Sequence, residues 1–315
     1  MDFKFKKDTK IFIAGHEGLI GSAFKRYFEI NNFKNIIVRN RCELDLTSQS
    51  DTFKFFQYFQ PEVVILAAGK VGGIIENRDF PLDFLNINLL IQSNVFNSAR
   101  EFGVKKLLFF GSSCMYPKNS NIPLKENQIF RGELEQTSIA YATAKYAGIQ
   151  MCDAINRHDK TCSFLSVIPN SVYGPNDNFS LTSSHVLSAL IRRISDAKFA
   201  NQNSVTLWGS GAPRREFIFS DDLVEACIKL INSSLNYENF PVNIGEGIDY
   251  SIKELAQIIS KEVDFKGNIY WDTSKPDGAM KKLLDNTKIK SIGWDASTNL
   301  EQGIKKVYTW YEDTL

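Results

Sequence analysis

The 315-residue sequence predicts an α/β fold, a doubly wound parallel sheet with a smaller C-terminal region. Two observations carry that prediction. Short apolar runs alternate with helix-length amphipathic stretches through the first half of the chain. The runs are also apolar throughout, so each strand would be buried on both faces, as in a parallel sheet covered by helices. Composition agrees, since 43% apolar and 23% charged residues are ordinary for a globular chain.

Taken in order, the strands are KIFIAG (10–15), NIIV (35–38), EVVILAAG (62–69), VKKLLFFGS (104–112) and CSFLSVIP (162–169). Helices are expected between them at 18–31, 47–59, 83–102 and 138–158. In the third, Phe84, Leu85, Ile87, Leu89, Leu90, Ile91, Val95, Phe96 and Ala99 recur at near-helical spacing. From Pro169 the alternation loosens, and Gly, Asn and Trp become frequent in SVYGPNDNF and TLWGSGAPRREF. Helices follow at 183–199, 221–232 and 251–263, with Ser220 or Asp221 capping the second and Ser251 the third.

Charge and cysteine usage exclude several classes. A net charge of +1 with scattered Lys and Arg gives no footprint for nucleic acid or an anionic membrane. No apolar run approaches the roughly 20 residues that span a bilayer, and IFIAG is too short for a signal-peptide core. Five dispersed cysteines without a CxxC pair, and three dispersed histidines, indicate neither a disulfide framework nor a metal site. A cytoplasmic protein is expected.

The first strand runs into GHEGLIG (15–21), a G-x-x-G-x-x-G variant of the dinucleotide fingerprint. Gly15 would allow the tight turn, Gly18 the approach of a pyrophosphate, and Gly21 close helix–strand contact. The helix N-terminus adds unpaired N–H groups and a positive dipole end. The fold is therefore read as Rossmann-type. Residues 1–172 form the dinucleotide-binding domain and 173–315 a mainly substrate-binding one, with 219–245 returning to the first. At the end of the second strand an NAD-binding chain usually carries an acid; here Arg39 and Arg41 stand in IIVRNRCELDL. Arginine forks suit a 2′-phosphate and favour NADP(H), unless they are solvated surface residues.

GSSCMYP (111–117) follows the fourth strand, and YATAK (141–145) comes some thirty residues later. Tyr141 and Lys145, four apart, share one helix face. A lysine ammonium stabilises a phenolate, while Ser112 at the strand's C-terminal edge can hydrogen-bond a carbonyl oxygen there. YxxxK alone is common as a surface pair. In this order with the glycine loop, the set resembles an extended short-chain dehydrogenase/reductase.

Further runs narrow the resemblance to the GDP-L-fucose synthase family: LAAGKVGGI (66–74), GSSCMYPK (111–118), YGPNDNF (173–179), SSHV (183–186), WGSGAPRREF (208–217) and KPDGAMKKLLD (275–285). That resemblance implies NADPH-dependent C4 reduction of a GDP-linked 4-keto-6-deoxy sugar, hexose or heptose, with or without epimerisation at C3 and C5. It makes Cys114 the base and His185 the acid of epimerisation, although read alone each would more often be structural. In reduction Tyr141 gives the carbonyl its proton, Lys145 tunes Tyr141 and grips the nicotinamide ribose, and Ser112 orients the carbonyl. Asp45 and Leu46 would flank the adenine and Ala67 would line the cofactor. Ser171, Arg193, Trp208, Arg215 and Lys282 would hold the nucleotide diphosphate and sugar, with Trp208 equally readable as core. Asn88 and Gly72–Gly73 would shape the nicotinamide pocket or serve as turn and cap. A homodimer through the Tyr141 helix and a role in surface-polysaccharide synthesis are further implications. A nucleotide-sugar epimerase with tightly bound NAD is the alternative.

Two departures stand out. Glu17 replaces the arginine of the family's GHRG, placing a carboxylate where a 2′-phosphate contact is usual. Ser171, in PNSVYG, replaces an asparagine close to the sugar, which suggests a different or bulkier one.

Overall fold

The computed structural model describes residues 3–181, 183–233, 241–275 and 277–314. Pro276 of the KPDG run and residues 234–240 of the returning segment lie outside the described residues. The strands are β1 (Ile11–Ala14), β2 (Ile36–Ile37), β3 (Val63–Leu66), β4 (Lys106–Phe110), β5 (Ser163–Pro169), β6 (Ser171–Tyr173), β7 (Ser204–Trp208), β8 (Arg214–Phe219), β9 (Val242–Ile244), β10 (Asp249–Ser251), β11 (Asn268–Asp272) and β12 (Lys281–Lys282). The helices are α1 (Leu19–Ile30), α2 (Gln49–Phe59), α3 (Ile74–Asp79), α4 (Pro81–Glu101), α5 (Ile139–His158), α6 (Val186–Phe199), α7 (Ser220–Ile231), α8 (Ile252–Val263), α9 (Thr287–Lys290) and α10 (Leu300–Asp313).

Six strands form one parallel sheet in the order β2-β1-β3-β4-β5-β9. Its strands are apolar throughout because both faces are covered. Phe12, Val64, Leu107 and Phe164 point into a core shared with α2, α4 and α5, while their neighbours Ile11, Val63, Leu108 and Leu165 enter another with α1 and α7. The chain winds from β1 to β2 on one side and to β3 on the other. Such a switch point opens a crevice at the strands' C-terminal ends, where open α/β sheets take ligands. The strands read from sequence overrun β1, β3 and β4 because Gly15, Ala67–Gly69 and Gly111–Ser112 are the loops that leave that edge.

A second, smaller assembly follows. Strands β6, β10 and β12 all pair with β8, β10 antiparallel and the others parallel, and β7 pairs with β11. Helices α6, α8 and α10 bury Ile191, Ile194, Leu255, Ile259, Ile304 and Val307 together with Leu207 and Phe217. Helix α10 is not among those read from the sequence, although Leu300, Ile304, Val307 and Tyr311 share its buried face. Ser251 caps α8 in a reciprocal pair with Glu254. The capping read for α7 is corrected: its N-cap is Phe219, Ser220 is already helical, and no side chain caps it. Ser220 is fully buried and donates to Asp221 instead.

Candidate active site

At the switch point the glycine turn closes tightly. Gly15 takes a left-handed φ of +82°, and a Cβ there would lie 2.7 Å from the Ala68 backbone N. The ends of β1 and β3 therefore meet side by side, joined by Ala67 N–H donating to Ala14 O at 3.0 Å. A Cβ on Gly21 would collide with the Gly15 carbonyl, so only glycine lets α1 seat on the turn. Gly18 is the N-cap of α1, and no side chain caps the helix. Its first-turn N–H groups are thus available to an anion, so the residues fit a pyrophosphate.

The flanking residues fall into two kinds. Arg39 donates from Nη1 to Val38 O at 2.6 Å and lies 4.8 Å over the Phe59 ring, which holds it at the end of β2. Arg41 and Glu17 are exposed. Asp45 accepts from Thr47 N and Oγ1, and those bonds hold its carboxyl below the usual range. Asn94 donates to Leu46 O at 2.9 Å, tying this segment to α4.

Across the crevice, Ser112 ends the loop after β4 and caps a short turn at Ser113–Met115, accepting from Cys114 N at 3.2 Å. The same hydroxyl acts to lower both the Tyr141 phenol and the Cys114 thiol. Three sequence-read residues are thereby brought together. Burial pushes the Tyr141 phenol well above its usual range, with Cys114 adding to the shift and Ser112 opposing it. Tyr141 is thus fully protonated at neutral pH, as a proton donor must be. One helical turn on, Lys145 is 5% exposed and burial lowers it to about 8. Its Nζ lies 5.8 Å from the Tyr141 ring centroid and 4.9 Å from that of Phe109. Burial raises the Cys114 thiol, but the Lys282 charge and the Ser112 and Ser138 hydroxyls together outweigh it, so the thiol lies below its ordinary range.

The remaining residues line the second assembly. Trp208 is 53% exposed with the Arg193 guanidinium 5.1 Å over its ring, so it is a surface aromatic and not core. Arg215 of β8 is half-buried, and desolvation lowers it while Asp277 opposes. Half-buried Ser171 of β6 sits opposite Phe217 of β8. His185 is the exposed N-cap residue of α6 and donates to no acceptor among the described residues, so no contact joins it to Cys114. Asn88 clamps the loop after β3, accepting from Lys70 N at 3.1 Å and donating to Lys70 O at 3.0 Å, while Gly73 caps α3. These are the turn and cap roles.

Sequence reasoning missed Glu135 and Ser138 beside Cys114, which no local pattern marks. It also missed Glu216, fully buried in β8. That carboxylate accepts from Asn170 Nδ2 and Gly247 N at 2.7 Å, Leu284 N at 2.9 Å and Asn286 Nδ2 at 3.3 Å. An acid inside the apolar run EFIF was the available signal.

Comparison with known proteins agrees with this geometry. The model of the NAD dependent epimerase/dehydratase family matches residues 11–245. A putative GDP-L-fucose synthase of Arabidopsis thaliana is 48% identical, covering 99% of this chain and 94% of that protein. A GDP-6-OMe-4-keto-L-xylo-heptose reductase structure from Campylobacter jejuni superposes with a TM-score of 0.90 at 36% identity, covering 99% of each chain. A GDP-mannoheptose C4 reductase from the same organism, solved with NADP bound, gives 0.89 at 37%, covering 98% of this chain and all of that one. The chain belongs to the NAD dependent epimerase/dehydratase family of extended short-chain dehydrogenase/reductases, within the group that holds the GDP-L-fucose synthases.

Proposed function

We propose that this chain reduces C4 of a GDP-linked 4-keto-6-deoxy sugar, hexose or heptose, with NADPH, after epimerising C3 and C5. The observation that carries the reading is the grouping of Ser112, Cys114 and Tyr141 at the crevice, with Cys114 N donating to Ser112 Oγ, beside an uncapped, glycine-lined helix N-terminus. The Gly15–Gly21 turn would hold the cofactor's pyrophosphate, Arg39 and Arg41 its 2′-phosphate, and Asp45, Leu46 and Ala67 its adenine side. Bound there, NADPH supplies the hydride that C4 receives.

The chain's own residues do the rest. Ser112 Oγ holds the C4 carbonyl oxygen, and Tyr141 gives its phenolic proton to that oxygen as charge develops on it. Lys145, close to the same ring, stabilises the phenolate left behind and holds the ribose. Before reduction the Cys114 thiolate removes a proton α to the ketone, and His185 returns one from the other face. Ser171, Arg193, Trp208, Arg215 and Lys282 would bind the sugar and the diphosphate, the cations matching its charge. The alternative, an epimerase with tightly bound NAD and no net reduction, is not favoured, since the full-length relatives are named as synthases and reductases.

In this reading residues 1–172 serve the cofactor and 173–315 mainly the substrate. We also assign a homodimer with α5 at its interface, where Ile139 of α5 and Leu90 of α4 are each 39% exposed. Five free thiols suit a reducing cytoplasm, and no helix among the described residues is long and apolar enough to cross a membrane. Surface-polysaccharide synthesis is the use assigned to the product.

Incubation with GDP-4-keto-6-deoxy hexoses and heptoses, with NADPH or NADH, and NMR of the products tests the reading. One C4-reduced sugar with deuterium at C3 and C5 in D₂O is expected. Binding of NADPH without turnover across that panel would overturn it.

A further inference from the structure

One aromatic residue beside the site holds a strained backbone. Among the described residues six other than glycine have a left-handed φ, and five are Asn, Asp or Gln in turns and at helix ends. The sixth is Phe130, at +57°. A bulky side chain is an outlier there and persists only where its surroundings over-determine it. Two contacts do so. Phe130 N donates to Met115 O at 3.1 Å, and its ring stacks on Tyr146 of α5, with centroids 4.1 Å apart and planes 9° apart. On either side of it in the chain, Ile129 and Arg131 line a cavity of about 130 Å³ with Gln150 and Asp153 of α5. The stacked ring therefore reaches the helix where its neighbours leave a gap.

What Phe130 grips is the turn of Ser112 and Cys114. Cys114 N donates to Ser112 Oγ at 3.2 Å and Met115 N to Ser112 O at 3.1 Å, so residues 112–115 move as one body. Met115 is fully buried, and a Cβ on Gly111 would meet its Cε at 3.0 Å and Ile149 Cδ1 of α5 at 3.2 Å. The turn thus rests on the helix that carries Tyr141 and Lys145. Through the Met115 carbonyl, Phe130 ties it to the same helix one residue beyond Lys145. We propose that Phe130 is a positioning residue, whose stack on Tyr146 sets the Ser112–Met115 turn against α5 and so fixes Ser112 and Cys114 relative to Tyr141. The inference rests on the proposed function and adds to it a residue that acts through the backbone rather than on the sugar. Strain collects where a site must be held in one geometry, and a displacement of about 1 Å can cost about a hundredfold in rate. The loop has other ties at its base. Tyr116 Oη donates to Asn243 Oδ1 at 2.6 Å and Lys118 N to Glu133 O at 2.9 Å, so removing the ring loosens the turn without releasing the loop.

The test compares Phe130→Gly, Phe130→Tyr and Tyr146→Leu in the NADPH-loaded protein. Glycine takes a positive φ freely, so Phe130→Gly removes the ring and adds no strain. Its kcat for the keto-sugar and its deuterium uptake at C3 and C5 should fall about tenfold or more, with KM and NADPH affinity within about twofold. Phe130→Tyr keeps the stack and should keep the native rate. Tyr146→Leu should match Phe130→Gly, and the double variant should lose no more than either alone. A native kcat in Phe130→Gly, or losses that multiply in the double variant, would make the stack mere packing and overturn the proposal. Should Phe130→Gly fail to fold, Tyr146→Leu decides by the same readings. A further measurement needs no sugar. Amide hydrogen exchange of peptide 111–118 should quicken in Phe130→Gly while that of the glycine turn stays native, and an unmoved exchange overturns the proposal. Absence of turnover in the native protein would end the proposed function, and the exchange result would still decide whether Phe130 holds the turn.

Discussion

The proposed nucleotide side of the crevice is made by seven consecutive residues, Gly15 to Gly21, plus two arginines at the end of the next strand. The proposed substrate side draws Ser171, Arg193, Trp208, Arg215 and Lys282 from β6, α6, β7, β8 and β12. One side is set by local backbone geometry, the φ of Gly15 and the clash that excludes a side chain at Gly21. The other depends on long-range ties, of which buried Glu216 is the hub, joining Asn170, Gly247, Leu284 and Asn286. A local motif is robust to changes elsewhere in the chain. A site assembled across more than a hundred residues fails when one shared partner is lost.

The largest effect belongs to Tyr141, where the two sides meet. Tyr141→Phe removes the proton donor and leaves the ring packed against Phe84, whose centroid lies 6.1 Å away. Oxidation of NADPH by the keto-sugar should fall by about 10²- to 10⁴-fold, the usual worth of a general acid. Affinity for NADPH should stay within about twofold, because the glycine turn is untouched. Steady-state kinetics and a fluorescence titration check both, and undiminished turnover would break the mechanism.

The same contrast explains what the sequence made legible. The parallel sheet follows from strands apolar on both faces, and the turn follows from three glycines in seven residues. Ser112, Tyr141 and Cys114 were readable because each lies at a fixed offset within a short run, and the fold then brings those runs together. Lys282 was readable as a cation but not by its place, since only the parallel pairing of β12 with β8 sets it in register with Arg215. Trp208 illustrates the limit from the other direction. An aromatic in a strand is equally core or surface until the opposite face is known, and here the opposite face, with Leu207, is the buried one.

Next in size is Glu216→Gln. Each carboxylate oxygen accepts two donors, so an amide NH₂ in place of one oxygen sets donor against donor in a fully buried site. Hydrogen bonds to a charged group are worth about 1.5–3 kcal/mol each, and a loss of about 3 kcal/mol in unfolding free energy is expected. GDP affinity should fall more than NADPH affinity, because the ties reach β8, β12 and the β9–β10 loop rather than the glycine turn. Equal losses at both sites would erase the distinction between them.

A smaller, pH-dependent effect comes from Glu246, next to that hub. Burial, reinforced by the charges of Glu216 and Asp222, pushes its carboxyl up to about 7. An unfolded glutamate titrates near 4.3, so the folded state holds the proton more tightly. Its contribution is therefore full below the unfolded value and is lost as pH rises toward 7. Glu246→Gln should flatten that slope and stabilise the protein above pH 7 by about 1 kcal/mol, given solvent screening of a half-exposed group. Thermal melts across pH check this, and an unchanged slope would show that the acidic neighbours do not act on Glu246.

The smallest expected effect is at Glu17, although its place inside the proposed phosphate-binding turn suggests otherwise. The side chain is exposed, and at such a site a unit charge pair about 5 Å apart is worth only about 0.8 kcal/mol in water. Arg39, by contrast, is fixed by its bond to Val38 O and its stacking on Phe59, so less of its freedom is lost if it takes a phosphate. Glu17→Arg should therefore raise the NADPH-to-NADH affinity ratio by no more than about threefold, measured by titration of both cofactors. A gain of tenfold or more would mean that the turn itself faces the 2′-phosphate. Cofactor choice would then be as local as the turn's backbone geometry, and Arg39 and Arg41 would lose the role that their place after β2 assigns them.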